Sequence, residues 1–179
     1  SATLPRPGRN GVPTTPRLQK GPAYSKTSAS SSAAPPWTPD DWPTYRHDGA
    51  RSGASPLTIS SSLGTQWQTT LGGRLSAPTI AAGKLFVAET DTHMLHAVDA
   101  DSGELLWQYL SGGRIDSPPT YHQGLVLFGS ADGHVYCLTM DEGELVWRFR
   151  AATNDRCMVA FGQAESININ HGCSVPGSA

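Results

Sequence analysis

Few features of this sequence point to a membrane protein, a disulfide-bonded protein or a metal site. The chain has no apolar run of about 18 residues, so no membrane-spanning helix is predicted. Its three cysteines form no Cys-x-x-Cys motif and no neighbouring pair. This spacing disfavours a disulfide framework or a zinc site and favours buried or incidental thiols. The cysteines are Cys137, Cys157 and Cys173.

Strings typical of several function classes are also missing. The sequence shows none for Ser-His-Asp catalysis, phosphate-binding loops, kinases or nucleic-acid-binding modules. A net charge of -2 argues against whole-chain attraction to nucleic acid or to anionic membranes.

Acidic residues are absent from residues 1–36, and the first carboxylate is that of Asp40. This stretch is basic and ends in a Ser/Pro-rich run at residues 25–36. Such polar segments cannot bury enough apolar surface to fold. We predict a disordered leader or linker, with binding of an acidic partner as the alternative. No apolar core of a secretory signal is visible at its start, so the sequence does not show the compartment directly.

Apolar residues are scarce, at 37% of the chain, whereas 19 glycines and 14 prolines are many. This composition favours turns, loops and strands over helices. A length of 179 residues fits one or two domains.

A repeat of forty residues governs the middle of the chain. Trp67, Trp107 and Trp147 stand forty positions apart, and Gly-Glu-Leu-Leu-Trp at the second recurs as Gly-Glu-Leu-Val-Trp at the third. Each unit contains four short apolar runs bounded by Gly, Asp and Ser, which is typical of strands joined by tight turns. In the first unit the runs cover residues 75–81, 85–89, 94–99 and 105–109.

Several of these runs are apolar on both faces, which indicates a sheet covered on both sides by other sheets. We therefore predict an all-β fold of β-propeller blades with four antiparallel strands each. The chain holds two full blades plus an incoming strand, and we expect it to be part of a larger ring of seven or eight blades. The predicted organisation is a leader at 1–36, an irregular connecting segment at 37–62, the repeats at 63–150, and an irregular tail or truncated insertion at 151–179.

The repeated string has a structural rationale. Asp99 and Ser102 can fix a tight turn through local backbone amides, and Gly103 can adopt a positive φ. Trp107 can then bury its ring where adjacent blades meet, with its indole N–H bonded to an acceptor.

The string from Ala97 to Trp107 resembles the tryptophan-docking repeat of the pyrroloquinoline-quinone-like propellers, Ala-x-Asp-x-x-Thr-Gly-Lys-x-x-Trp. The second copy keeps Gly143 and Trp147 but departs from the motif elsewhere. The connecting segment also resembles one that is common in such bacterial proteins. In the second copy, the residues that depart from the motif are Cys137, Thr139 and Glu142. In the connecting segment, the residues that match are Trp42, Pro43, Tyr45, Arg46, Arg51 and Gly53.

This resemblance implies one of several functions, since the family contains quinoprotein alcohol dehydrogenases as well as non-catalytic members such as the lipoprotein of the outer-membrane β-barrel assembly machinery. We expect a non-catalytic scaffold for protein or ligand binding in the bacterial cell envelope, with a protein or peptide partner, no nucleic acid and no cofactor. The alternatives are a fragment of a quinone-dependent alcohol dehydrogenase, with pyrroloquinoline quinone and calcium, and the sensory propeller of a signalling protein. The dehydrogenases stack their quinone against a Cys-Cys disulfide, and this sequence has no such pair.

We assign no catalytic, cofactor-binding or metal-binding residue, but three sets of side chains are candidates. Asp116 and Glu89 are the acids expected nearest to an axis-facing strand. His93 and His96 share an H-x-x-H spacing, yet positions three apart on a strand face opposite sides, so a turn position and a strand position are favoured over a metal site. At equivalent positions of the two units, we expect Arg74 and Arg114 to cap carbonyls at the blade rim, with capture of a carboxylate or of a partner peptide as the alternative.

Overall fold

The computed structural model describes residues 16–29 and 38–152. Almost all regular structure in these ranges is antiparallel β-sheet, arranged as two stacked units. Blade one has the strand order β2-β3-β4-β5 and blade two the order β6-β7-β8-β9. Their bounds are β2 Thr79–Ala81, β3 Lys84–Glu89, β4 Met94–Asp99 and β5 Leu105–Leu110, then β6 Thr120–His122, β7 Leu125–Gly129, β8 His134–Thr139 and β9 Leu145–Arg150.

The predicted β-propeller architecture is confirmed at the level of the blade. Each blade has four strands at the expected places, and the two blades share a bulge, opposite Ala97/Val98 in one and Cys137/Leu138 in the other. The innermost strand β2 is shorter than the predicted run 75–81, which contains Pro78. Proline lacks an amide hydrogen for the ladder, and residues before it contribute only an isolated bridge between Leu75 and Glu89.

The main core lies between the two blades, as the apolar runs predict. Side chains from facing sheets are buried together there, and Phe128 stacks on Tyr136 with ring centroids 5.1 Å apart. Burial on both faces explains why the runs are apolar throughout. The fully buried members include Phe86, Leu95, Ile115, Val126, Tyr136 and Leu138.

Tryptophan side chains join one blade to the next. The indole N–H of Trp67 donates to the carbonyl of Ala100, and that of Trp107 donates to the carbonyl of Met140, both at 2.9 Å. Each ring lies against the glycine of a turn, Gly103 or Gly143, which have φ values of 76° and 66°. A Cβ at either glycine would come within 2.6 Å of the ring, so the turn needs glycine for both its conformation and its space.

The connecting segment lies along the inner edges of both blades. Trp42 forms an antiparallel bridge with Ile80 of β2, and the carbonyl of Pro43 accepts a hydrogen bond from the amide of Tyr121 in β6 at 2.7 Å. The Thr44 and Thr120 hydroxyls are 3.0 Å apart. Backbone groups of the two innermost strands are therefore bonded to the chain's own connecting segment.

The leader differs from its prediction over residues 16–29. Here β1, Leu18–Lys20, pairs antiparallel with β9, and α1, Tyr24–Ala29, follows it. Ala23 is fully buried against Val146. The composition rule failed because β1 gains its backbone partners from β9, and Ala23 its burial from blade two, not from the leader itself. The predicted leader residues 1–15 and 30–36 and the tail from 153 lie outside the described residues.

We expect the docked tryptophan to stabilise the fold more than its terminal counterpart. Trp107→Ala should lower the free energy of unfolding by about 3 kcal/mol, because it removes a large aromatic ring from the blade interface. Trp147→Ala should cost about 1 kcal/mol, because no described blade covers its outer face. Urea unfolding followed by tryptophan fluorescence and circular dichroism gives both values.

The control for this pair is Glu104→Ala, which changes an exposed side chain beside the same turn and should have little effect. Equal losses for the two tryptophan variants would show that docking between blades is not the source of stability.

Candidate functional site

Arg74, Arg114 and Asp116 lie on the loops that lead into the innermost strands, whereas Glu89 and His96 lie in β3 and β4 of blade one. Each loop reads Gly-Gly-Arg, at Gly72–Arg74 before β2 and at Gly112–Arg114 before β6. A buried polar pair holds each loop from below. The pairs differ in chemistry between the blades: the ring residues His96 and Tyr136 correspond, but the acids Glu89 and Asp132 do not.

Under the first loop, Glu89 forms the buried pair with His96. The amide of Gly73 donates to Glu89 Oε1 at 3.1 Å, and His96 Nε2 lies 3.3 Å from Glu89 Oε2. Burial opposes ionisation of Glu89, but hydrogen bonds from the Gly73 amide, the Thr92 hydroxyl and the His96 ring outweigh it and lower the pKa of the carboxyl. This acid therefore fixes a loop and is ionised, not poised as a proton donor at neutral pH.

Under the second loop, Asp132 and Tyr136 take these roles. The Tyr136 hydroxyl donates to Asp132 Oδ2 at 2.5 Å and accepts from the Gly112 amide at 3.3 Å. Burial and the neighbouring carboxylate raise the pKa of Tyr136 to about 12, so its hydroxyl stays protonated. Sequence reasoning missed this pair. Tyr136 follows His96 by the forty residues of the repeat, and this correspondence could have revealed the pair.

Arg74 and Arg114 both donate to one carboxylate. Their Nη2 atoms lie 3.3 Å and 2.6 Å from Asp116 Oδ1. These contacts differ from the predicted capping of rim carbonyls, because both guanidinium groups bind a carboxylate of the chain itself. Asp116 Oδ2 is buried and has no hydrogen-bond partner among the described residues. The cluster ties the loop of blade one to the loop of blade two.

The histidine pair behaves as predicted from strand geometry. His93 lies in a turn with a φ of 65°, whereas His96 is buried in β4. Residues 16–29 and 38–152 contain no group of three or more His, Cys, Asp or Glu side chains that could hold a metal ion. Cys137 is buried, which raises the pKa of its thiol to about 12 and leaves it a poor nucleophile. Cys157 and Cys173 lie outside the described residues.

An open apolar surface lies on the far side of blade two. Leu18, Val135, Trp147 and Phe149 line a pocket of about 230 Å³ there. Trp147 is the third member of the tryptophan series, but its outer face meets no further blade in the described part of the chain. In the same ranges, no helix has both the length and the apolar character needed to span a bilayer.

Comparison with known proteins identifies the family from these repeats. The family model described as "Outer membrane protein assembly factor BamB" matches residues 58–170, which is more than half of the chain. The chain belongs to this family. The predicted membership of the pyrroloquinoline-quinone-like propellers is thereby confirmed. A comparison with functionally curated sequences gave no match.

Solved structures of BamB-like and quinoprotein propellers are similar to this family member. BamB from Moraxella catarrhalis is 31% identical over 41% of this chain and 22% of its own, with a TM-score of 0.37. The quinohemoprotein alcohol dehydrogenase ADHIIG from Pseudomonas putida HK5 is 19% identical over 73% and 21%, with a TM-score of 0.58. The enzyme from Comamonas testosteroni is 21% identical over 76% and 24%, with a TM-score of 0.56. The chain thus spans about a quarter or less of the length of each, and the dehydrogenases show the fold alone.

The ionised state of Glu89 makes a prediction for pH dependence. A carboxyl whose pKa is lowered in the folded state adds stability above its ordinary pKa, and this contribution is lost as the pH falls through the lowered value. We expect the wild-type unfolding midpoint in urea to fall between about pH 5 and pH 3. Glu89→Gln should be less stable at pH 7 and should lose less on acidification.

Asp101→Asn is the matched control for Glu89→Gln, because Asp101 is exposed in the turn of the same blade. Its pH profile should follow that of the wild type. A Glu89→Gln profile parallel to the wild type would contradict the assignment of the buried pair.

Proposed function

We propose that this family member is a non-catalytic propeller scaffold that binds a protein partner in the bacterial cell envelope. The observation that carries the proposal is that Asp116, the best candidate for a catalytic base, already binds other side chains of the protein. Its Oδ1 atom bonds two guanidinium groups and its Oδ2 atom is buried, so neither oxygen faces a substrate. The cell-envelope location rests on the family description, which names an outer-membrane assembly factor.

The other candidate residues support the same proposal. Glu89 and His96 hold the first Gly-Gly-Arg loop, and Asp132 and Tyr136 hold the second. The connecting segment bonds the inner edges of β2 and β6, where an axial ligand would otherwise meet the backbone. The polar groups of the inner rim thus act within the chain.

A surface suited to a protein partner is the apolar pocket around Trp147. Trp67 and Trp107 each pack against a sheet unit that presents a glycine turn and a carbonyl that accepts the indole N–H. The pocket therefore fits an apolar sheet face with such a turn, which is what a further blade of the ring presents and what a protein partner at this surface must supply. Exposed aromatic and aliphatic side chains of this kind are typical of protein-binding surfaces.

The catalytic alternative is tested by reconstitution. We expect the purified chain, mixed with pyrroloquinoline quinone and calcium, to show no dye-linked oxidation of primary alcohols above a protein-free blank. A quinoprotein dehydrogenase assayed in parallel confirms that the cofactor is active. Turnover that is abolished by Asp116→Asn would overturn the non-catalytic assignment.

The scaffold role is tested by affinity capture from a bacterial envelope extract with mass-spectrometric identification. One defined protein should be recovered with the wild type and lost with Val135→Asp, which places a charge in the apolar pocket. Asp91→Lys, an exposed change on a turn of blade one, should retain it. Circular dichroism confirms that both variants fold. Recovery of no protein, or equal recovery with Val135→Asp, would contradict binding at this surface.

A further inference from the structure

The outer edges of the two blades differ in their coverage. β1 pairs with β9 at the outer edge of blade two, whereas β5 has no strand on its outer side among residues 16–29 and 38–152. Leu106 and Leu110 of β5 are 42% and 64% exposed, and Gln108 between them is exposed as well. These three side chains alternate with Trp107 and Tyr109, which pack against the core, so they share the opposite face of the strand.

Neighbouring hydrogen bonds show which backbone groups of β5 point outward. The amide of Ser111 donates to the His93 carbonyl beside β4 at 2.9 Å. Because backbone groups alternate between the two sides of a strand, the amides of Leu110 and Gln108 point away from β4. Blade two agrees, since the amide of Arg150, forty residues after Leu110, donates to a carbonyl beside β1 at 2.8 Å.

The carbonyl near the start of β5 points outward too. In blade two, the Val146 carbonyl accepts from the amide of Gly21 at 2.8 Å. Leu106 has the corresponding position in β5, and the two strands share the same bulge. The outward groups of β5 therefore lie at positions 106, 108 and 110, and no other strand of the described ranges bonds them.

Charge distinguishes this edge from that of β9. Arg148 and Arg150 stand at outward positions of β9, and charged side chains at an edge oppose its pairing with an identical edge. β1 meets Arg148 with an uncharged acceptor, because Gln19 Oε1 accepts from Arg148 Nε at 2.6 Å. No residue of β5 is charged, so two copies of this strand can lie side by side without repulsion.

The outward positions are also symmetric about Gln108. When two β5 strands run antiparallel, Gln108 can stand opposite its own copy, with Leu106 opposite Leu110. The amide of Gln108 then reaches the Gln108 carbonyl of the second copy, and the amide of Leu110 reaches the Leu106 carbonyl. This register pairs all three outward positions. A shift by one residue pairs outward with inward groups, and a symmetric shift by two leaves one position unpaired.

We propose that β5 pairs antiparallel with β5 of a second copy of this chain, about a two-fold axis at Gln108. The two copies of blade one then form a continuous sheet of eight strands. Leu106 of each copy covers Leu110 of the other, and the two Gln108 amides bond one another. The contact is self-complementary, as a two-fold interface requires.

The proposed contact is small for a protein interface, so the dimer is weak, with a dissociation constant above about 1 μM. The proposal does not depend on the proposed function, because that function uses the surface around Trp147 and not the edge of β5.

Sedimentation velocity of the full chain tests the contact. As the concentration is raised to about 1 mM, we expect the monomer to convert to a dimer. Gln108→Arg places like charges opposite each other and should weaken association at least about tenfold. Gln123→Arg is the matched control, because it makes the same change at an exposed turn of blade two and should associate as the wild type does. Circular dichroism confirms that both variants fold.

Mixing of charge variants tests the register. Gln108→Arg mixed with Gln108→Glu should restore association, because opposite charges then face each other across the two-fold axis. Gln108→Arg mixed with Gln123→Glu should not restore it, because Gln123 lies on another blade. Equal restoration by the two mixtures would show that general attraction between opposite charges is the cause, and would overturn the proposed register.

Val135→Asp separates this contact from the apolar pocket around Trp147. It should leave the association of the full chain unchanged. Association that is lost in Val135→Asp but kept in Gln108→Arg would assign the contact to the pocket and overturn the proposal. A wild-type chain that stays monomeric at every concentration would overturn it as well.

Discussion

The docking of a tryptophan ring against a glycine turn of the next blade is the contact on which this structure depends. Trp67 and Trp107 make it in the same way, each with its indole N–H on a turn carbonyl at 2.9 Å. The geometry joins one blade to the next because only glycine leaves room for the ring and adopts the required φ. Conserving the spacing of forty residues keeps each ring in register with the following turn.

The polar residues at the two Gly-Gly-Arg loops help to hold the stacked blades together. Asp116 joins the two Gly-Gly-Arg loops; Glu89 bonds the amide of the first loop directly, and Asp132 acts on the second through the Tyr136 hydroxyl. The two acids, Glu89 and Asp132, come from different places in their units, yet each bonds a ring residue at the corresponding position. Substitution within the repeat is tolerated when the replacement partners can reach the same loop.

Local pattern was sufficient to predict the blades, because short apolar runs and tight turns are set by neighbouring residues. The positions of His93 in a turn and His96 in a strand were predicted from strand alternation for the same reason. Residues 16–29 were predicted wrongly because β1 is stabilised by β9, more than a hundred residues away. The roles of Arg74 and Arg114 also depended on a distant contact, since neither sequence position indicates that the two side chains meet at Asp116.

The sequence by itself determined the repeat, the four-stranded blade and the docking tryptophans. These features depend on spacing along the chain, and spacing is visible without a structure. Only the tertiary structure decided which polar groups are engaged, which strand edge is covered and which apolar face stays open. Each of these outcomes requires residues remote in sequence to come together, and the energy of such contacts comes from burial and hydrogen bonding that exist only in the folded chain.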